Sequence, residues 1–161
     1  MRVAIVSDSH NNIANLEKAV ARANVEGCEQ FFHLGDFTTG RTADTLAGFR
    51  GGIQCVFGNC DSDIQGLKRA LTRVGGEIDP PPFSFRLSEW RILLLHEPVG
   101  LEPQADTQNY DYIFYGHMHR VDHRRVGKTT ILCPGESGSR NGNATLCIAD
   151  LISGQFDWIY L

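Results

Sequence analysis

Positive charge is scarce in this sequence: 15 lysines and arginines stand against 19 aspartates and glutamates, a formal net charge of −4. Sequence-independent affinity for nucleic acid needs many Lys/Arg–phosphate contacts, so the balance argues against a general nucleic-acid binder. A small anionic substrate stays compatible wherever positive charge is concentrated locally. The start of the chain lacks a long apolar run, because MRVAIVSDSH offers only Val3–Val6. That is too short for a signal-peptide core or a membrane span, and a cytoplasmic protein without membrane contact is expected. The five cysteines, Cys28, Cys55, Cys60, Cys133 and Cys147, contain no C-x-x-C pair. Neither a disulfide framework nor a zinc finger fits that pattern, so reduced thiols are expected.

What is present is a series of short apolar runs: Val3–Val6, Phe31–Leu34, Ile53–Phe57, Ile92–Leu95 and Tyr110–Tyr115. Runs of this length read as strands buried on both faces. Between them, Asn11 or Asn12 can cap a helix whose Ile13, Leu16, Ala19, Val20 and Ala23 follow helical spacing. Thr42–Phe49 reads as a weaker helix and Asp63–Leu71 as another. Alternating strands and helices predict an α/β layered fold with a largely parallel first sheet. After Tyr115 the pattern predicts antiparallel hairpins from strands at about 122–126, 129–133, 144–150 and 155–160. The stretch from Gly75 to Pro82 reads as a loop. At 161 residues the chain can bury roughly 70% of its unfolded surface in a single domain, 1–161.

The stretch YIFYGHMHRVDH sets two imidazoles, His117 and His119, directly after an apolar run. The other runs of the first series end in the same kind of residue: Ser7-Asp8-Ser9-His10, Gly35-Asp36, Gly58-Asn59-Cys60-Asp61, and His96. Sites in open α/β sheets form at the carboxyl edge of the strands, so these residues are expected to converge. Imidazole, carboxylate and amide oxygen suit manganese, iron, zinc, nickel or cobalt. Asp8, His10, Asp36, Asn59, His96, His117 and His119 exceed what one catalytic ion takes, whereas two ions about 3.5–4 Å apart that share a carboxylate use them all. The expected cofactors are two divalent metal ions, manganese first, with nickel, cobalt, iron or zinc as alternatives. Two such ions against two ligand carboxylates leave a local positive excess for a phosphate.

The order D-x-H, GD, GN, a later His and GHxH resembles the calcineurin-like metallophosphoesterases, over Asp8 to His119. Small size and Cys60 after Asn59 are most similar to that family's small bacterial and archaeal phosphodiesterases. The resemblance implies a four-layer α/β/β/α sandwich, two mixed sheets flanked by helices. It implies one metal on Asp8, His10 and His119, a second on Asn59, His96 and His117, and Asp36 bridging. It implies hydrolysis of phosphodiester bonds by a metal-bridging hydroxide, with Asn59, Cys60 and Asp61 in the catalytic loop. Larger members carry His at the position of Cys60, and Asp61 matches the acid that orients it. A thiol with its ordinary pKa near 8.5 is a poorer general acid, so diesters with good leaving groups are expected to outpace alkyl monoesters. Glu97 stands where members often carry Gly, and is expected to narrow the pocket or repel an anion.

Arg41 and Arg140 are the candidate substrate-binding residues, because a guanidinium matches phosphate geometry. Arg120, Arg124 and Arg125 fit the exposed face of a hairpin, and His33, inside an apolar run, fits a hydrogen-bonded structural role. Gly127-Lys128-Thr129 lacks the earlier glycine of a P-loop, and Gly135-Glu136-Ser137-Gly138-Ser139 fails the G-x-S-x-G pattern of serine hydrolases. The competing functions are a phosphomonoesterase on the same centre and a non-catalytic protein-interaction scaffold of the same fold. Intact ligand positions favour catalysis on a small phosphodiester or nucleotide-like substrate. The apolar end Phe156–Leu161 fits an edge strand or a homodimer contact.

Overall fold

The computed structural model describes residues 1–161. The chain runs β1 (Arg2–Val6), α1 (Ile13–Val25), β2 (Gln30–His33), α2 (Gly40–Asp44), a 3-10 turn (Thr45–Gly48), β3 (Gly52–Val56) and α3 (Ile64–Arg73). It continues through β4 (Gly76–Asp79), β5 (Phe83–Leu87), β6 (Trp90–Leu94), α4 (Leu101–Asp106) and β7 (Tyr112–Phe114). The last four elements are β8 (Val121–Val126), β9 (Thr129–Pro134), β10 (Thr145–Asp150) and β11 (Gln155–Tyr160). No helix is long and apolar enough to cross a membrane.

Two mixed sheets result. The first has the order β11-β10-β1-β2-β3-β4, with β1 to β4 parallel and β10 and β11 added antiparallel. The second has the order β5-β6-β7-β9-β8, with β6, β7 and β9 parallel between antiparallel edges. Strand side chains alternate between faces, and here both faces are apolar. Val3, Ile5, Phe32, Ile92, Leu94 and Phe114 meet between the sheets. Ala4, Val6, Phe31 and Ile53 point the other way, onto Leu16, Val20, Leu67 and Leu71 of α1 and α3. Leu93, Leu95, Ile113 and Ile131 cover the outer face of the second sheet beneath Leu101 and Ala105 of α4. The layers are therefore helix, sheet, sheet, helix, as the family resemblance implies.

Local choices agree with this plan. Asn12 caps α1, its side-chain oxygen accepting from Asn15 N at 3.2 Å, and Asp63 caps α3 by accepting from Gly66 N at 2.8 Å. The weaker helix expected over Thr42–Phe49 begins earlier and gives way to the 3-10 turn. The loop expected from Gly75 to Pro82 contains β4, which pairs with β3; the prolines then carry the chain to the far edge of the other sheet. Four residues of strand are too short for alternation to register in a sequence. Helix α4 leaves little sequence signal, as it has one apolar pair, Leu101 and Ala105, and Pro103 in its first turn, where no N–H is required.

Candidate metal centre

Strands β1, β2, β3, β6 and β7 all end at one edge of the sandwich, and that edge carries all seven candidate ligands. The turns leaving them are tight. Asp8, His10, Asp36, His117 and His119 adopt φ between 42° and 66°, the left-handed region that costs a residue with a Cβ roughly 1–3 kcal/mol. Five of the seven candidate ligands in that region mark turns whose side-chain direction outweighs backbone ease. Two glycines make the close approach feasible. Gly35 sits at φ 98°, and a Cβ there would stand 2.7 Å from His96 Nδ1, while a Cβ at Gly58 would collide with the Asp36 carboxylate.

The candidate ligands fall into two groups, with Asp36 between them. In the first, His119 Nε2 lies 3.3 Å from Asp8 Oδ1 and 3.3 Å from His10 Nε2. In the second, Asn59 Oδ1 lies 2.9 Å from His96 Nε2 and 3.0 Å from His117 Nδ1. Asp36 Oδ2 faces His10 Nε2 at 3.6 Å, and its Oδ1 faces His96 Nε2 at 3.5 Å. Asp8, Asp36 and His96 are essentially inaccessible to solvent.

The arrangement calls for a cation. Asp8 Oδ1 is buried and accepts no hydrogen bond, which is costly for a carboxylate unless something positive completes it. His119 Nδ1 is 2.8 Å from Glu136 Oε2, so it carries the proton and Nε2 presents a lone pair towards Asp8. His96 is fixed likewise, with Nδ1 donating to Leu34 O at 2.7 Å and Nε2 left as an acceptor towards Asn59 and Asp36. Acceptors converging on acceptors fit divalent metal ions. Burial pushes the Asp8 carboxyl up and the His10 imidazole down, both away from the charged form. A bound cation reverses that bias for Asp8 and favours the neutral, ligating form of His10.

The remaining predicted site residues divide. Cys60 is half-buried in the same cluster, its N–H donating to Asp36 Oδ1 at 2.8 Å. Burial, then a hydrogen bond to Asp36, pushes its thiol up from the ordinary range. Asp61 lies beneath, and both its oxygens are occupied: Oδ2 accepts from Asp36 N at 2.9 Å and Gly58 N at 2.8 Å, and Oδ1 from Thr38 N at 2.7 Å. It thus pins the turns that carry Asp36 and Asn59. Arg140 reaches the rim, with Nη1 3.3 Å from His10 Nδ1. Arg41, exposed on α2, makes no hydrogen bond or ion pair with the cluster. His33 is buried, stacked on Phe37 and 2.9 Å from Ser9 Oγ.

Glu136 is the site residue that sequence reasoning missed. It is 2% exposed, and besides His119 it accepts from Arg140 N at 3.0 Å and Asn141 N at 2.5 Å. A signal for it exists: Gly135-Glu136 comes after β9 as Gly35-Asp36 comes after β2. Reading β9 only as half of a hairpin hides its parallel pairing with β7, which delivers its carboxyl end to the same edge.

Comparison with known proteins identifies the family and the fold. The family model described as the calcineurin-like phosphoesterase superfamily domain matches residues 1–154. A phosphodiesterase of Methanocaldococcus jannaschii is 27% identical over 165 residues, spanning 100% of this chain and 99% of the relative. The solved structure of an archaeal phosphodiesterase superposes with a TM-score of 0.95 at 26% identity, covering 100% of both chains. At 18% identity, where likeness speaks for the fold alone, Vps29 of Entamoeba histolytica complexed with Zn2+ gives a TM-score of 0.71 over 100% of this chain and 98% of its own.

Proposed function

The chain belongs to the calcineurin-like phosphoesterase superfamily, and from that premise we propose that it is a binuclear metal-dependent phosphodiesterase acting on small phosphodiesters. The carrying observation is the junction at Asp36, whose two oxygens face His10 of one ligand group and His96 of the other. Full-length similarity to a phosphodiesterase supports the reaction class. Asp8, His10 and His119 would hold one divalent ion and Asn59, His96 and His117 the other, with Asp36 shared; manganese is the first expectation, with nickel, cobalt, iron or zinc as alternatives. Bound there, the ions would supply Lewis acidity and lower the pKa of a water enough to make hydroxide available as the nucleophile near neutral pH. We read residues 1–161 as one cytoplasmic domain with no general nucleic-acid binding and no membrane partner, and the β11 edge as an ordinary edge strand or a homodimer contact.

The chain's own residues orient the substrate. Arg140 can only donate, and His10 with its Nε2 lone pair towards a cation carries its proton on Nδ1. Two donors then face each other, so the Arg140 guanidinium turns to an anion, and a phosphoryl oxygen is the fitting one. Asp61 holds the Asp36 and Gly58 turns in register through three N–H groups. Cys60 presents a thiol rather than an imidazolium, which leaves the leaving group without an imidazolium acid.

The test is hydrolysis of bis-p-nitrophenyl phosphate by metal-stripped protein with and without manganese. Restored activity that favours this diester over the monoester supports the proposal. A folded protein inactive with manganese, nickel, cobalt, iron and zinc overturns it. Replacing Cys60 by His supplies the missing acid, and general acids typically contribute 10²–10⁴-fold. Cys60→His is therefore expected to raise activity on glycerol phosphate relative to bis-p-nitrophenyl phosphate by about tenfold, and an unchanged ratio would show that the thiol is a packing group.

A further inference from the structure

The two flanks of the ligand cluster differ in character. On the His10 side stands the Arg140 guanidinium. On the other side, Asn59 and His96 line part of a cavity of about 490 Å³, a volume typical of small-molecule sites. Its walls are Phe57, Pro81, Pro82, Leu95 and Val99. No lysine or arginine lines it, and Glu97 is its only acid. Phe57 and Leu95 are buried beneath, while Val99 is 78% exposed at the rim.

A phosphoryl group drawn to the cluster carries its ester substituents outward, and Asn59 and His96, which belong to both cluster and cavity, open a path for one of them. Flat rings gain most from walls of aromatic and proline rings, because broad faces pack without leaving a void. A substituent bearing a further phosphate would meet Glu97, and no lysine or arginine among the lining residues offsets the repulsion. We infer that this cavity is the subsite for one ester substituent of the substrate, that it takes a flat, uncharged ring, and that it rejects a second anionic group. The inference rests on the phosphodiester reading of the cluster and adds to it the substrate class.

Isothermal titration of the manganese-loaded protein with diphenyl phosphate and dimethyl phosphate is the test. Both present the same anion, and only the first presents rings. Diphenyl phosphate is expected to bind at least about tenfold more tightly, a difference of about 1.4 kcal/mol. Val99→Asp, at an exposed position that folding tolerates, adds a second carboxylate to the rim and is expected to remove most of that difference while leaving dimethyl phosphate binding unchanged. A nucleoside 5′-methyl phosphate binding at or above the diphenyl level identifies the ring as a nucleobase, and weaker binding identifies a simple aryl group. Equal binding of the diphenyl and dimethyl esters, or a Val99→Asp effect of the same size on both, overturns the subsite. Hydrolysis of bis-p-nitrophenyl phosphate by the same samples separates the two ideas. Hydrolysis without ring preference removes the subsite alone, whereas ring-selective binding without hydrolysis retains the subsite and removes the enzymatic reading.

Discussion

Asp36→Asn is expected to lower kcat/KM for bis-p-nitrophenyl phosphate by about a thousandfold, the equivalent of about 4 kcal/mol of lost stabilisation. The amide has the same shape, and its oxygen can still accept the Cys60 N–H that Asp36 Oδ1 accepts at 2.8 Å. The Asp36 main-chain N–H donates to Asp61 whatever the side chain. Folding should therefore survive, with a melting temperature within a few degrees of wild type. What is lost is the negative charge between the two ligand groups, together with one of the two oxygens that face His10 and His96. An NH2 group turned towards either imidazole adds a donor where a cation is required. Metal content after dialysis, read by mass spectrometry, should fall along with activity. A variant that keeps its metal and stays within tenfold of wild-type activity would remove Asp36 from the bridging position.

Such a centre is legible in a sequence because strand ends are legible. Buried apolar runs of four to six residues announce parallel strands, and the residues directly after each run lie, by topology, at the carboxyl edge. That logic reaches Asp8, His10, Asp36, Asn59, His96, His117 and His119 from the sequence alone. It does not reach the left-handed backbone at five of them, since φ is set by the turn and not by the residue type, and none of the five is glycine. Nor does it show that Asp61 has both oxygens taken by backbone N–H groups, because those donors belong to turns brought together only by the β2–β3 pairing. Helix–strand alternation likewise identifies the parallel part of the first sheet. The short strands β4 and β5 escape because the prolines between them read as a loop, although the chain there changes sheets.

Glu136 tests whether the centre extends beyond its immediate ligands. Its carboxylate gathers three donors, His119 Nδ1, Arg140 N and Asn141 N, while its main-chain oxygen accepts from Thr145 N at 2.8 Å. One acid therefore ties His119 to the loop that carries Arg140. Glu136→Gln keeps the volume but offers one accepting oxygen in place of two, so at least one buried donor loses its partner, at a cost of about 1–3 kcal/mol of stability. If the amide oxygen stays with the main-chain donors, His119 loses the acceptor that fixes its tautomer, and its Nε2 becomes a weaker and less oriented ligand. Changes of this kind typically cost about 10–100-fold in metal affinity. Under the proposed assignment, manganese titration should then show the loss in one binding step only, that of the ion Asp8, His10 and His119 would hold, with the step at Asn59, His96 and His117 nearly unchanged. A general loosening of the fold would weaken both steps together, and such a result would reduce Glu136 to a packing residue. Selective loss would instead make the Gly135-Glu136 turn part of the metal centre, through an imidazole that the Glu136 carboxylate holds in its ligating form.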